Sequence, residues 1–266
     1  MSDAGENAKR VALVTGASRG IGAAIARMLA EQHMTVVGTA TSEAGAAGIS
    51  EALSGLGGIG KVLNVTDPDS VDALISPIRE DLGDPLVLIN NAGITQDNIL
   101  MRMKEDEWQQ VIEINLTALY RLSKACLRGM TKSRWGRIIN VTSVVGSMGN
   151  AGQSNYAATK AALAKYSEAL HVELKDHGIH VVTVYPGPVA TPMEARARET
   201  FGGSFGAADK LPMGTPEELA LKIGKAITAK TRKLYYPDFY RSAFMFPNLS
   251  QCLTEKFSPG LETLAS

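Results

Sequence analysis

Cysteine is almost missing from this chain of 266 residues, where Cys126 and Cys252 are the only two. Two thiols build neither a disulfide framework nor a four-thiolate zinc site. Histidine is nearly as scarce: His33, His171, His177 and His180. His177 and His180 stand three apart, but no second cluster of metal-ligating residues accompanies them, so no metal is expected. Net charge is absent as well, because 27 Lys and Arg balance 27 Asp and Glu. A general nucleic-acid binder carries a basic excess, so no nucleic-acid partner is expected. No apolar run reaches the ~18 residues of a membrane-crossing helix. The opening MSDAGENAKR is polar, and no apolar signal-peptide core follows it. The expectation is a cytoplasmic protein with no membrane partner.

Aromatic residues make up only 6% of the chain, and they are unevenly placed. Tyr235, Tyr236, Phe239, Tyr240, Phe244, Phe246 and Phe257 all follow residue 233. Exposing so many rings is unfavourable, so this tail is expected to dock on the body of the protein or on another subunit. Otherwise the composition is that of an ordinary globular protein, with 45% hydrophobic and 20% charged residues.

Short apolar runs rich in β-branched residues alternate with stretches of helical spacing. Strands are predicted at 10–15, 35–39, 61–65, 86–90, 137–141 and 180–185, with a last one at 233–237. Helices are predicted at 21–32, 44–56, 68–82, 105–130, 153–176 and 216–229, the last capped by Thr215. Apolar strands alternating with helices imply parallel strands covered on both faces. The predicted fold is α/β: a doubly wound, Rossmann-type parallel sheet in three layers, forming one domain over 1–266. Residues 188–212 contain Gly202, Gly203 and Gly206 and show no sustained period, so they are expected to form a substrate flap. Residues 238–266 form the aromatic tail. In such sheets ligands sit at the carboxyl ends of strands, so chemistry is expected just after each strand.

The first strand runs into TGASRGIG, Thr15 to Gly22. A glycine-rich turn between strand and helix lets the backbone approach a pyrophosphate, and the helix N-terminus offers free N–H groups and a positive dipole end. Gly16, Ser18, Arg19, Gly20, Ile21 and Gly22 are therefore candidate cofactor-binding residues. Sites for NAD carry an acid at the end of the second strand. Here that strand ends in GTATS, and the first carboxylate is Glu43. Arg19 and Thr41 instead offer a cation and a hydroxyl to a 2′-phosphate, which predicts NADP(H) over NAD(H). A solvated surface arginine is the alternative reading of Arg19.

Ser143 follows the fifth strand, and Tyr156 and Lys160 lie four apart on the next helix, hence on one face. The nearby ammonium is expected to lower the phenol from its ordinary value near ~10. Tyr156 would then serve as proton donor and acceptor, with Ser143 hydrogen-bonding the substrate oxygen. Such a set suits hydride transfer between a nicotinamide and a carbonyl carbon. Tyr and Lys at this spacing are common on helix surfaces; the glycine loop and the serine give the pair its meaning.

Taken in order, TGASRGIG (15–22), NNAG (90–93), Asn115, Ser143, YAATK (156–160) and PGPVAT (186–191) resemble the short-chain dehydrogenase/reductase family. The resemblance implies Tyr156 as acid/base, Lys160 on the tyrosine and the nicotinamide ribose, Ser143 orienting the carbonyl, and Asn115 holding a water in a proton relay. It also implies cofactor contacts from Asn90, Ala92 and Gly93, from Asn64 and Val65 beside the adenine, and from Pro186, Gly187, Val189 and Thr191 beside the nicotinamide.

A closer resemblance covers the part up to about residue 160. GITQDNILMRMKEDEW, LYRLSKACLRGMTKSRWGRIINV and SVVGSMGNAGQSNYAATKA are similar to the 3-oxoacyl-[acyl-carrier-protein] reductases. This implies NADPH-dependent reduction of a β-ketoacyl thioester, an acyl carrier protein as partner, and a homodimer or homotetramer. Beyond Ala162 the chain resembles a different branch of the superfamily, and KLYYPDFYRSAFMFPNLS stands where those reductases end in a strand with a Gly-Gly pair. A natural recombinant, an engineered chimera or ordinary divergence would each produce this mosaic. Of the two basic positions implied for the carrier protein, Arg134 fills one. His177 stands at the other, a weaker anchor than arginine. Without the reductase tail, pairing through the long helices makes a dimer the safer expectation. Two further readings stand beside the leading one: a reductase or dehydrogenase for another hydrophobic ketone or secondary alcohol, and a non-catalytic nucleotide-binding redox sensor. Met101 and Met103 either touch an acyl chain or simply pack.

Overall fold

The computed structural model describes residues 10–200 and 212–257. Gly202, Gly203 and Gly206, the last residues of the tail and the side chain of Phe257 lie outside the described part.

Seven strands form one parallel sheet: β1 Val11–Val14, β2 Thr35–Ala40, β3 Ile59–Val62, β4 Pro85–Asn90, β5 Gly136–Val141, β6 Ile179–Pro186 and β7 Lys233–Tyr236. Their order across the sheet is β3-β2-β1-β4-β5-β6-β7. β1 (VALV) and β5 (GRIINV) are buried at every residue, as strands covered on both faces must be. Alternate side chains sort into two cores. Ala12, Val14, Val87, Ile89 and Ile139 face one layer, with Ile25 and Leu29 of α1 (Gly20–Glu31), Ile49 of α2 (Glu43–Ala52) and Ile223 of α8 (Pro216–Ala229). Val11, Leu13, Leu88 and Ile138 face the other. There they meet Val71 and Ile75 of α3 (Pro68–Asp81), Leu122 and Met130 of α5 (Ala118–Ser133) and Leu170 of α6 (Ser154–Leu174). The doubly wound, three-layer α/β fold read from the sequence is the fold observed.

The winding reverses between β1 and β4, which are neighbours in the sheet with Val14 paired to Ile89. The loops after these two strands therefore abut, and a ligand crevice opens there.

Three local readings need correction. The third strand is Ile59–Val62, not 61–65. It is a half-exposed edge strand in which Gly60 lies so close to α2 that a Cβ there would meet the Ala46 carbonyl at 1.9 Å, and its glycine hides the strand pattern. The helical stretch 105–130 is not continuous: α4 (Glu105–Ile112) and α5 are joined by a π-helical turn, Glu113–Thr117. Such an inserted turn leaves the surrounding apolar spacing readable and is frequent at functional sites. Finally, part of the aperiodic stretch 188–212 is helical, α7 (Pro192–Thr200). The Glu194 N–H donates to Thr191 Oγ1 at 3.2 Å, and Arg198 pairs with Glu194 one turn back at 3.2 Å. Its sequence is polar and only Ala197 is buried, so no apolar period announces it.

The aromatic tail docks on the body. Tyr235 stacks on Tyr185 with centroids 5.0 Å apart, and Phe244 from α9 (Tyr240–Met245) meets Tyr185 edge-on at 4.5 Å. Tyr240 is buried, while Phe239, Phe246 and Leu249 remain exposed. A last helix, α10 (Pro247–Phe257), follows. Among the described residues no helix is long and apolar enough to cross a membrane.

Candidate active site

The glycine loop is shaped by contacts with the loop after β4. Gly16 has φ +64°, and a Cβ on it would stand 3.1 Å from the Ala92 Cα. Gly22 packs against the Gly16 carbonyl, where a Cβ would come within 2.2 Å. Gly22 leaves no room for a side chain, and the positive φ of Gly16 favours glycine. Thr15 ties the loops together: its hydroxyl donates to the Ile89 carbonyl at 3.2 Å and accepts from the Asn91 and Ala92 N–H groups, both at 3.0 Å. The Asn91 amide donates to the Thr15 and Gly16 carbonyls at 3.0 and 3.2 Å.

Ser18 and Arg19 are exposed on this cradle, and Arg19 is the extended residue that opens α1. Gly20 and Ile21 begin the helix, whose first turn holds no acidic residue. Thr41 is exposed at the end of β2, and Ser42 beside it caps α2 by accepting from the Gly45 N–H at 3.1 Å. A glycine cradle flanked by a helix start without acidic residues, an exposed arginine and hydroxyls fits a dinucleotide carrying an extra ribose phosphate.

The other expected cofactor residues fall in two groups. Gly93 and Ala92 border the crevice, and a Cβ on Gly93 would stand 3.6 Å from Lys160 Nζ. The loops after β1 and β6 also meet, because a Cβ on Gly20 would touch Thr191 Cγ2 at 3.3 Å. Val189 bridges to Gly214, and the Gly187 N–H donates to the Tyr236 carbonyl at 2.7 Å, which fixes the stretch after Pro186. Asn90, by contrast, is buried under the sheet. Its amide donates to Asn140 Oδ1 at 2.8 Å and to Ser123 Oγ at 3.3 Å, so the side chain braces β4 against β5. Asn64 Oδ1 accepts from the Thr66 N–H and hydroxyl, and Val65 is buried in the core. Both lie in the turn after β3.

Ser143, Tyr156 and Lys160 converge beside Gly93. Ser143 follows β5 by two residues, and its hydroxyl accepts from the Val145 N–H at 3.2 Å. Lys160 is only 4% exposed. Its ammonium donates to the Val141 carbonyl at 3.0 Å and lies 5.5 Å from the centre of the Tyr156 ring. Burial lowers this lysine from 10.5 to about 8. The phenol goes the opposite way from the expectation. Burial pushes Tyr156 up to about 12, a hydrogen bond with Ser143 pulls it down, and the charges of Asp97 and Glu194 push it further up. In this structure removal from water is the largest cause for both groups, and it penalises the charged form of each.

Asn115 lies fully buried in the π-helical turn. Its Oδ1 accepts from the Ile94 N–H at 2.9 Å. Its Nδ2 donates to the Ile94 carbonyl at 2.9 Å and to Thr159 Oγ1 at 3.3 Å. The amide thereby joins the loop after β4 to the helix that carries Tyr156 and Lys160.

Arg134 and His177 are brought together, but far from this centre. Arg134 donates to the Asp176 carbonyl at 3.3 Å, next to the exposed His177. Both precede strands β5 and β6, whereas Ser143 follows β5. The 21-residue helix α6 separates Tyr156 from this patch by about 30 Å. Met101 is 92% exposed, so it is not part of the core. Sequence reasoning missed Asn91, Asp97, Gln153 and Glu194. Asn91 and Asp97 both sit inside motifs the sequence displays, NNAG and GITQDN, but only the fold shows which way each side chain is used.

A doubly wound parallel sheet with a glycine cradle at its switch point, and a serine, tyrosine and lysine converging beside it, defines a class of nucleotide-dependent oxidoreductases. Residues 10–201 match the short chain dehydrogenase family, and the chain belongs to it. It is an NADP(H)-dependent oxidoreductase acting on CH–OH and C=O groups. Among curated relatives it is 52% identical over 215 residues to the 3-oxoacyl-[acyl-carrier-protein] reductase FabG of Vibrio harveyi, covering 80% of this chain and 88% of that protein. It is 55% identical over 212 residues to the protein of the same name from Escherichia coli, covering 79% and 86%. The matched length reaches well beyond the part up to residue 160 that carries the closest resemblance in sequence.

Proposed function

We propose that this chain reduces 3-oxoacyl thioesters, with NADPH as reductant and Tyr156 as proton donor. The observation that carries the reading is the convergence of Ser143, Tyr156 and Lys160 beside the Gly16–Gly22 cradle. The names borne by relatives of 52–55% identity point to the substrate class.

When bound, NADPH would supply the hydride, and the glycine loop, Arg19 and Thr41 would hold its phosphates. Ser143 donates to the carbonyl oxygen and orients it. The Tyr156 hydroxyl gives its proton to that oxygen as negative charge develops there. A phenol raised to about 12 keeps its proton until the oxygen becomes the stronger base. Lys160, held at the Val141 carbonyl, places positive charge beside the ring that the proton leaves. Asn115 positions the loop after β4 against the helix of Tyr156.

The protein works in the cytoplasm as a homodimer or homotetramer. An acyl carrier protein as donor of the substrate is favoured by the relatives. It is weakened by His177 and by the distance of the Arg134–His177 patch from Tyr156 in the same subunit. A second reading, reduction of another hydrophobic ketone, is supported by the tail: Tyr240 packs on Gly187 beside the crevice. NADPH oxidation with a short 3-oxoacyl thioester, run beside simple ketones and with NADH as control, separates the two. Fast thioester turnover with NADPH is the expected result; ketone reduction without thioester turnover would replace the substrate assignment.

A further inference from the structure

The turn after β3 is held together locally. Asn64 Oδ1 accepts from the Thr66 N–H at 3.2 Å and from the Thr66 hydroxyl at 2.8 Å. The Asn64 N–H donates to Ser70 Oγ at 3.1 Å, and the Asp67 N–H to the Asn64 carbonyl at 3.2 Å. The turn starts beside the end of β2, because the Leu63 N–H donates to the Ala40 carbonyl at 2.8 Å, one residue before Thr41. It therefore borders the part of the crevice where Thr41 is exposed.

One bond ties the turn to a distant element. The Thr66 carbonyl accepts from Arg121 Nη1 at 3.1 Å, across 55 positions of sequence. Arg121 lies near the start of α5, and its side chain is 27% exposed. The same nitrogen pairs with Glu113, the residue that opens the π-helical turn Glu113–Thr117. In a regular helix residues seven apart share a face, after two turns of ~3.6. The π-helical turn inserts one residue, so Glu113 and Arg121, eight apart, meet instead. That turn is itself fixed: Asn115 within it is fully buried and bonded to the N–H and the carbonyl of Ile94, each at 2.9 Å. Arg121 is thus anchored on the carboxylate of a braced turn and holds a loop carbonyl in its turn. A guanidinium keeps its charge and carries several donors in one plane, which suits it to bridge two acceptors.

We propose that Arg121 is a positioning residue for the adenine half of the cofactor: it pins the Thr66 carbonyl to the π-helical turn and so holds Asn64 and Val65 against the adenine. The inference rests on Asn64 and Val65 bordering the adenine. Loss of this brace falls on cofactor binding. Hydride transfer within the bound complex keeps its own groups, Ser143, Tyr156 and Lys160, so KM for NADPH changes and kcat does not.

The test compares the wild type with Arg121→Met and Glu113→Gln, each checked for folding by circular dichroism. Binding of adenosine 2′,5′-bisphosphate, the adenine half of NADPH, is measured by titration calorimetry. Turnover of a 3-oxoacyl thioester is measured with NADPH and with reduced nicotinamide mononucleotide, which donates the same hydride and lacks the adenine half. Arg121→Met is expected to weaken bisphosphate binding and to raise the KM for NADPH, each by about 10-fold, with kcat and the rate with the mononucleotide retained. Glu113→Gln keeps the bond to Thr66 and weakens its anchor, so a smaller loss in the same direction is expected. If Arg121→Met fails to fold, Glu113→Gln decides alone. Unchanged affinity for the bisphosphate, or equal losses with NADPH and the mononucleotide, would overturn the proposal. Wild-type affinity for the bisphosphate in Asn64→Ala would instead overturn the placing of the adenine beside this turn. The calorimetry needs no carbonyl substrate, so its result stands apart from the outcome of the thioester assay.

Discussion

The Lys160 ammonium donates to the Val141 carbonyl at 3.0 Å while standing 5.5 Å from the centre of the Tyr156 ring. Val141 ends β5, and Ser143 follows it by two residues. One lysine therefore ties the helix of Tyr156 to the strand end that presents Ser143.

That tie is held at a cost. An ammonium that falls from 10.5 to about 8 on folding binds fewer protons than in the unfolded chain between those values. Stability therefore rises with pH across that window. Below it the charged form costs roughly 3 kcal/mol, offset by about 1 kcal/mol for the bond to Val141. Lys160→Met is expected to raise Tm at pH 7 by a few degrees, to lose that advantage as pH rises from 8 past 10, and to depress turnover. Thermal melts across pH check it; a lower Tm for the variant at pH 7 contradicts the account.

Arg19 opens α1 and is exposed on the cradle. A charge-assisted contact to a 2′-phosphate is worth roughly 1.5–3 kcal/mol, or about 10- to 100-fold. Arg19→Glu is expected to lower kcat/KM for NADPH by at least that factor while sparing NADH. Equal losses with both cofactors would show that Arg19 does not read the phosphate.

Gly187 and Tyr240 couple the crevice to the tail. A Cβ on Gly187 would stand 2.3 Å from the Tyr240 ring. Gly187→Ala is expected to destabilise the protein by about 1–3 kcal/mol. Combined with Tyr240→Ala, the loss is expected to fall short of the sum of the two single losses by more than ~0.5 kcal/mol. Additive losses in denaturant unfolding would mean that the tail is not seated on Gly187.

Much of this was legible in the sequence because it depends on local pattern. The runs VALV and RIINV can only be buried strands, and TGASRGIG after the first of them can only be a strand-to-helix turn rich in glycine. Tyr156 and Lys160 share a helix face by spacing alone. What escaped depends on three-dimensional register. Asn90 and Asn91 differ by one position at a strand end: the first braces Asn140 under the sheet and the second grips the glycine loop. The π-helical turn around Asn115 inserts a residue without disturbing the apolar spacing on either side. Arg134 and His177 are adjacent to one another but at the wrong end of the sheet for Tyr156, which follows from helix direction and length. The phenol's shift upward reflects burial, and Asp97 acquires its place only when the loop after β4 closes on Gln153.

The central claim is that Tyr156 delivers the proton while the cofactor cradle works independently of it. The most direct measurement is NADPH oxidation with a 3-oxoacyl thioester by Tyr156→Phe, beside NADPH binding by the same variant. The account predicts turnover reduced by about 10²- to 10⁴-fold, the scale of positioned acid catalysis, with NADPH binding retained. Near-full turnover by the variant would contradict it.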